Sequence, residues 1–304
     1  YYAVALGRYG LKRFSWATLI GLSALLASVA QGAIFGDGNA ENGIEDQRQP
    51  PAQQKPSAMA AVGTVICDGR LRGTATHIKS PTTVPSQPII VTAAHILFDV
   101  KSGKIYSSCS YLPRNKRLSA ISFKTVSEHS FDPRNSDKIA QSENDIVFVA
   151  LARPLQQQAL LLTDGKSTTH QILSLLGYNS SQNRLTESTD CKAYSSTQFA
   201  SEKLLLHDCD ARSGASGGPL LLRSEKGQPA KLIAVHGGTL LIKTLLINGM
   251  GEAASKSNSN SASRDGAVAD PERWINQARR VDQSVLLRLQ QFVAYLAKDS
   301  QGQR

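Results

Sequence analysis

Short apolar runs, broken by Gly, Pro and polar clusters, dominate the middle of the chain. Ala61-Val62-Gly63-Thr64-Val65-Ile66 and Gly73-Thr74-Ala75-Thr76-His77-Ile78 set β-branched residues between Gly and Pro punctuation, which is strand composition. Ile89-Ile90-Val91 follows Pro88, and the run from Ile146 to Leu151 stops before Pro154. Leu220-Leu221-Leu222 and Leu232-Ile233-Ala234-Val235 follow the same style. No helical pattern alternates with these runs, so they predict an all-β barrel or sandwich.

The two ends of the chain read differently. Arg8, Lys12 and Arg13 precede an uncharged apolar stretch from Phe14 to Ala30, and Ser28-Val29-Ala30 offers small residues where a signal peptidase reads. The stretch is short for a span of about twenty strongly apolar residues. Residues 1–30 are therefore read as a signal peptide, with no stable membrane insertion expected after its cleavage. Residues 31–57, polar and rich in Gln, Pro, Asn and Gly, are read as a linker or propeptide. The folded domain is expected over 58–300, with a flexible Ser/Asn-rich insertion at 253–270. Beyond it Val285, Leu286, Leu289, Phe292, Val293 and Leu296 recur at helical spacing with Asp282 placed as N-cap, predicting a C-terminal amphipathic helix docked on the strands.

At 304 residues, 41% hydrophobic and 19% charged, the chain can bury a substantial core. Its net charge of +10 comes from scattered Lys and Arg in runs no longer than a pair, without a basic helix interleaved with aromatics. That is a solvated basic surface, and no nucleic-acid partner is expected. None of the four cysteines forms a C-x-x-C pair, which removes the usual zinc and redox spacings. In an exported chain an even count implies two disulfides. Three pairings are open, and pairing within each half of the chain favours Cys67 with Cys109 and Cys191 with Cys209. His77, His129, His170 and His207 have no partners at metal-ligand spacing and are read as structural or solvent-exposed; no metal or cofactor is expected.

The segment that carries chemistry is Ser213-Gly214-Ala215-Ser216-Gly217-Gly218-Pro219-Leu220. A serine hydroxyl is a poor nucleophile and needs a base for its proton and donors for the oxyanion it creates. Glycines around Ser216 let the backbone turn so that the N–H groups of Gly214 and Ser216 converge on that oxygen. G-x-S-x-G also fits the nucleophile elbow of α/β-hydrolases, whose order is serine, acid, histidine. Beyond Ser216 the one histidine is His236 and no aspartate precedes it, so Glu225 would have to serve. The required alternation of strands and helices is absent too, and the elbow reading fails. Upstream, Val91-Thr92-Ala93-Ala94-His95 puts an imidazole at the end of an apolar strand, where it can take a proton near neutrality. Ser142-Glu143-Asn144-Asp145 sits before another apolar strand, placing a carboxylate that can fix the imidazole tautomer.

V-T-A-A-H, N-D-I and G-x-S-G-G-P, in that order and with spacings of 50 and 71 residues, resemble the trypsin/chymotrypsin superfamily of serine proteases over roughly residues 60 to 297. The resemblance implies two antiparallel six-stranded β-barrels, chymotrypsin-like, with His95 and Asp145 on the first and Ser216 on the second. It implies a serine endopeptidase: His95 as base and then acid, Asp145 orienting it, Gly214 and Ser216 as oxyanion hole, a polypeptide as substrate. In detail the chain is similar to bacterial glutamyl-endopeptidase-like members. Ile96 follows the histidine where a cysteine is frequent. Ala215 stands where digestive enzymes carry the aspartate that captures a new N-terminus; alanine cannot form that ion pair, and the resemblance does not extend to that activation switch.

For the substrate pocket the resemblance points to Asp210, Ala211, His236, Gly237 and Gly238. Asp210 occupies the place of the trypsin pocket aspartate, which implies a basic substrate residue. His236 before Gly237-Gly238 resembles the histidine with which glutamyl-type relatives bind an acidic one. A basic preference, an acidic one and neither all stay open. A secreted or periplasmic monomer is expected, and the rival reading is a non-catalytic binding protein that keeps the protease fold.

Overall fold

An Asp-Gly pair begins the first sheet. Asp68 (φ 48°) and Gly69 (φ 73°) both adopt left-handed backbone, as a two-residue type I′ turn requires, and join β1 (Val62–Cys67) to β2 (Arg70–Ile78). With β3 (Ile89–Thr92), β4 (Cys109–Pro113), β5 (Ile121–Val126) and β6 (Val147–Leu151) they close an antiparallel barrel in the order β1-β2-β3-β6-β5-β4. A second barrel uses β8 (Ile172–Asn179), β9 (Arg184–Tyr194), β10 (Leu204–His207), β11 (Pro219–Leu222), β12 (Lys231–Leu241) and β13 (Trp274–Arg280), in the order β11-β8-β9-β10-β13-β12 and closed by β11 on β12. The two-residue β7 (Leu161–Leu162) adds in parallel to β12. The expected pair of six-stranded barrels is thus observed, with β7 as an addition.

This computed structural model describes residues 48, 50, 56–79, 87–99, 101–115, 118–165, 172–179, 184–194, 201–222, 230–241 and 274–302. The expected signal peptide 1–30, most of the linker 31–57, the insertion 253–270 and His170 lie outside them. A short helix α1 (Pro56–Ala61) spans the expected linker–domain boundary and buries Ala58 and Ala61.

The uninterrupted apolar runs have one structural cause: these strands are buried on both faces. Along β3, Ile90 points into the first barrel while Ile89 and Val91 join a cluster shared by both barrels. Along β6, Val147, Val149 and Leu151 face inward, and Phe148 and Ala150 face the shared cluster. In the second barrel Leu220 and Ile233 face inward, whereas Leu221, Leu232 and Val235 reach the same cluster. Side chains alternate along a strand, so one run feeds two cores.

The helix α3 (Gln283–Gly302) seals the shared cluster with Val285, Leu289, Phe292, Val293 and Leu296. Its N-cap is Asp282, as expected, whose Oδ1 accepts from Val285 N at 2.9 Å. Among the described residues no helix is long and apolar enough to cross a membrane.

Both expected disulfides are present. Cys67–Cys109 joins directly opposed residues of β1 and β4, and Cys191–Cys209 ties β9 to the loop after β10. Chain-entropy reasoning gives the 42-residue separation about 4 kcal/mol and the 18-residue one about 3 kcal/mol. Replacing either pair by Ala should lower the urea midpoint under non-oxidising handling of the variants, the Cys67/Cys109 pair more. Midpoints equal to wild type would contradict the assignment of stability to these bridges.

Candidate active site

β3 delivers His95. Thr92, the last residue of β3, donates its Oγ1 to Thr74 O at 2.7 Å, and the chain then enters a 3₁₀ turn over Ala94–Leu97. Asp145 holds that turn twice: His95 N donates to Oδ1 at 2.8 Å, and His95 Nδ1 lies 2.7 Å from Oδ2. The carboxylate is placed by α2 (Lys138–Glu143), which Asp137 caps by accepting from Ile139 and Ala140. Asp145 N donates back to Ser142 O at 3.1 Å. The Asp145 side chain is 5% exposed, against 22% for His95. A carboxylate accepts, so the Nδ1 proton lies toward Asp145 and Nε2 is left as an acceptor. Burial pushes the imidazole pKa down, but the charge and hydrogen bond of Asp145 outweigh it, and the net shift is upward.

The serine segment crosses from the second barrel to meet β2. Thr74 N donates to Ser216 O at 2.8 Å, and Thr74 Oγ1 donates to Gly214 O at 2.6 Å. Gly214 (φ 98°) and Gly217 (φ 83°) are both left-handed, and a side chain at 217 would collide with Thr74 O and Thr92 Oγ1. Ile96, next to His95, and Ser216 O both approach within 3.0 Å of the point where a β-carbon on Gly73 would sit. The histidine and serine loops therefore adjoin across the two barrels. Ser216 is buried, and its Oγ donates to Gly237 O at 3.5 Å. Among the described residues no hydrogen bond joins Ser216 to His95, and none occupies the N–H of Gly214 or of Ser216. Ala215 is buried against Gly177, where a β-carbon would lie 2.7 Å from its own.

A bulge between His236 and Gly238 interrupts the β12–β13 ladder, with Gly238 at φ 146°. His236 N donates to Gly218 O, and its carbonyl accepts from Gly217 N at 2.7 Å, which binds β12 to the serine turn. Asp210 and Ala211 are buried in the loop after Cys209, and Asp210 N donates to Ser188 Oγ at 2.9 Å. Asp210 also has a further partner.

His207, read from sequence as structural or exposed, is buried and meets His236: Nε2 lies 3.2 Å from His236 Nδ1, and both rings are fully buried. Burial, and then the nearby His95, push His236 down to about 3; burial and His236 push His207 well below the ordinary range. Both stay neutral near neutrality. Gln277 was also not anticipated. Its amide fills the space a side chain on Gly237 would need, and Asp145 Oδ2 lies 3.0 Å from that same point. Spacing could not reveal either residue, since each acts through strand register alone. Among the described residues no group of three or more His, Cys, Asp or Glu is arranged to hold a metal ion.

No protein-family model matches the sequence, and no curated protein matches it. Solved structures do match in shape. A Glu endopeptidase in complex with MPD superposes with a TM-score of 0.53 at 13% identity, covering 82% of this chain and 98% of the other. The thermostable serine protease AL20 from an extremophilic microorganism gives 0.51 at 14%, covering 77% and 97%. Neuropsin, a serine protease of mouse brain, gives 0.51 at 13%, covering 84% and 99%. At such identities likeness speaks for architecture, and the chain has the chymotrypsin-like double-barrel fold of serine proteases.

Proposed function

We propose that the chain is a serine endopeptidase that hydrolyses peptide bonds through an acyl-enzyme on Ser216. One observation carries the reading: Asp145 grips both the backbone and the ring of His95, on the loop that faces the Ser216 turn. Rotation about the Ser216 Cα–Cβ bond swings its hydroxyl from Gly237 O toward His95 Nε2. The imidazole takes the proton as Oγ bonds to the substrate carbonyl carbon, and Asp145 stabilises the imidazolium. The carbonyl oxygen becomes an anion that the N–H groups of Gly214 and Ser216 receive, each such donor being worth about 3 kcal/mol of barrier. His95 then passes its proton to the departing amine, and water repeats the sequence to release the acid. Asp210, Ala211, His236, Gly237 and Gly238 form the proposed substrate pocket. The neighbouring folds belong to proteases, one of them a Glu endopeptidase, which supports a polypeptide substrate. Two disulfides support an oxidising compartment, secreted or periplasmic.

A second reading, a binding protein on a protease scaffold, draws support from the Ser216 hydroxyl pointing at Gly237 O. Covalent labelling separates the two. The folded mature protein should react with a fluorophosphonate at Ser216, and Ser216→Ala should neither label nor hydrolyse casein. Wild-type and Ser216→Ala preparations with the same casein rate would leave binding as the function.

The His95 environment sets the pH response. Its raised pKa means that the imidazole is still mostly protonated at the ordinary histidine value of about 6.5, and the neutral, proton-accepting form predominates only at higher pH. The acid limb of kcat/KM should therefore have its midpoint above that value. Asp145→Asn removes the stabilising charge and leaves the burial, so the midpoint should fall while kcat drops by about 10⁴. A flat profile from about pH 5 to 8 in the wild type is incompatible with a histidine base.

A further inference from the structure

The segment that carries Asp145 belongs to the first barrel, yet the side chains that hold its backbone come from the other half of the molecule. Arg279, on β13 and only 3% exposed, donates Nε to Glu143 O at 2.6 Å. Its other nitrogens are fixed by Lys203 O, Arg280 O, the helix-capping carboxylate of Asp282 at 2.8 Å and Ser284 Oγ. Arg288, on α3, donates Nη2 to Ile146 O at 3.0 Å and to Glu128 O at 3.2 Å. The Glu143 carboxylate is held as well, by Ser201 Oγ at 2.6 Å and Lys203 Nζ at 3.2 Å.

Carbonyls on both sides of Asp145 are thus gripped by guanidinium groups anchored outside its own barrel. Docking of the barrels does not call for this, because the shared apolar cluster already joins them. A buried guanidinium spent on a loop carbonyl fixes position and direction, since its planar fork is rigid. We infer that Arg279 and Arg288 are positioning residues for Asp145: together they set where its carboxylate meets His95, so that the pair is complete only when β13 and α3 are seated. The consequence for turnover rests on the peptidase reading; the consequence for the His95–Asp145 contact does not.

Charged and titratable groups around this contact are few. His95 faces Asp145 and His236; Asp145 and Arg288 both act on His129. Loss of a nearby cation by itself would raise the His95 titration midpoint. Loss of Asp145 alignment would lower it. The two explanations predict opposite signs.

The test uses the full protein with Arg279→Met, Arg288→Met and, as a control, Arg153→Met, whose guanidinium grips the carbonyls of Ser119 and Ala120 elsewhere on the first barrel. His95 is titrated by NMR, and kcat and KM are measured on a peptide substrate. Arg279→Met should lower the His95 midpoint and cut kcat by about ten- to a hundredfold with KM little changed, the scale expected when a reacting group is misplaced by about 1 Å. Arg288→Met should act in the same direction, Arg279→Lys should fail to restore the midpoint, and Arg153→Met should match wild type. Folded variants whose His95 midpoint stays put or rises overturn the inference. If Arg279→Met does not fold, Arg288→Met alone decides, because it leaves the Asp282 cap in place. A wild type without hydrolysis defeats the peptidase reading while the NMR midpoints still judge the bracket.

Discussion

The candidate catalytic side chains sit on two separate barrels, so their meeting depends on the way those barrels dock. That docking is made by strands with no solvent face. Ile89, Val91 and Phe148 from one barrel and Leu221, Leu232 and Val235 from the other share one cluster, under the lid of α3. Because side chains alternate, the same strands fill the barrel interiors, and slipping β3 or β6 by one residue would exchange the two sets. Register therefore fixes at once which residues pack inward and where the strand ends. His95 lies just past the end of β3 and Asp145 just before the start of β6. Their contact follows from the pairing of Thr92 with Val147 on those two strands.

Polar ties then finish what apolar packing begins. Thr74 does so from β2: its backbone donates to Ser216 O, its hydroxyl donates to Gly214 O and accepts from Tyr178 N. One small side chain thereby fixes the serine turn, β8 and the first barrel together. The electrostatic arrangement is equally economical. His95 is favoured in its charged form by Asp145, whereas His207 and His236 are kept neutral by burial. A second imidazolium beside His95 would oppose the one that Asp145 stabilises; two neutral rings do not.

Most of this was legible where sequence pattern and burial coincide. Apolar runs located β3, β6, β11 and the core of β12, and the helical repeat with Asp282 located α3. The pairing of cysteines within halves was also met. β13 was not legible, because Trp-Ile-Asn-Gln-Ala-Arg-Arg carries little alternation, and its buried Asn276, Gln277 and Arg279 earn their places by hydrogen bonding and register. The three motif segments singled out His95, Asp145 and Ser216 because each needs a distinctive local backbone. His207, Gln277, Arg279 and Arg288 act from ordinary strand or helix positions, and nothing in their neighbours marks them.

Ala215 shows how the serine turn can be ordered without a charge. Its methyl group packs against Gly177, where any added side chain would collide with it, and it carries no charge to pair. The turn is held instead by Thr74, by Gly217 N on His236 O and by Gly218 N on Ala215 O. Thr74 and His236 tie the turn to strands of both barrels, and the Gly218 bond closes it on itself, all of them present when β2, β11 and β12 are in register. Order at Ser216 is consequently a property of barrel docking itself. A chain built this way has no need of an ion pair at residue 215 to shape the N–H groups of Gly214 and Ser216, since the strands that dock the barrels already fix the φ angles of the glycines around them.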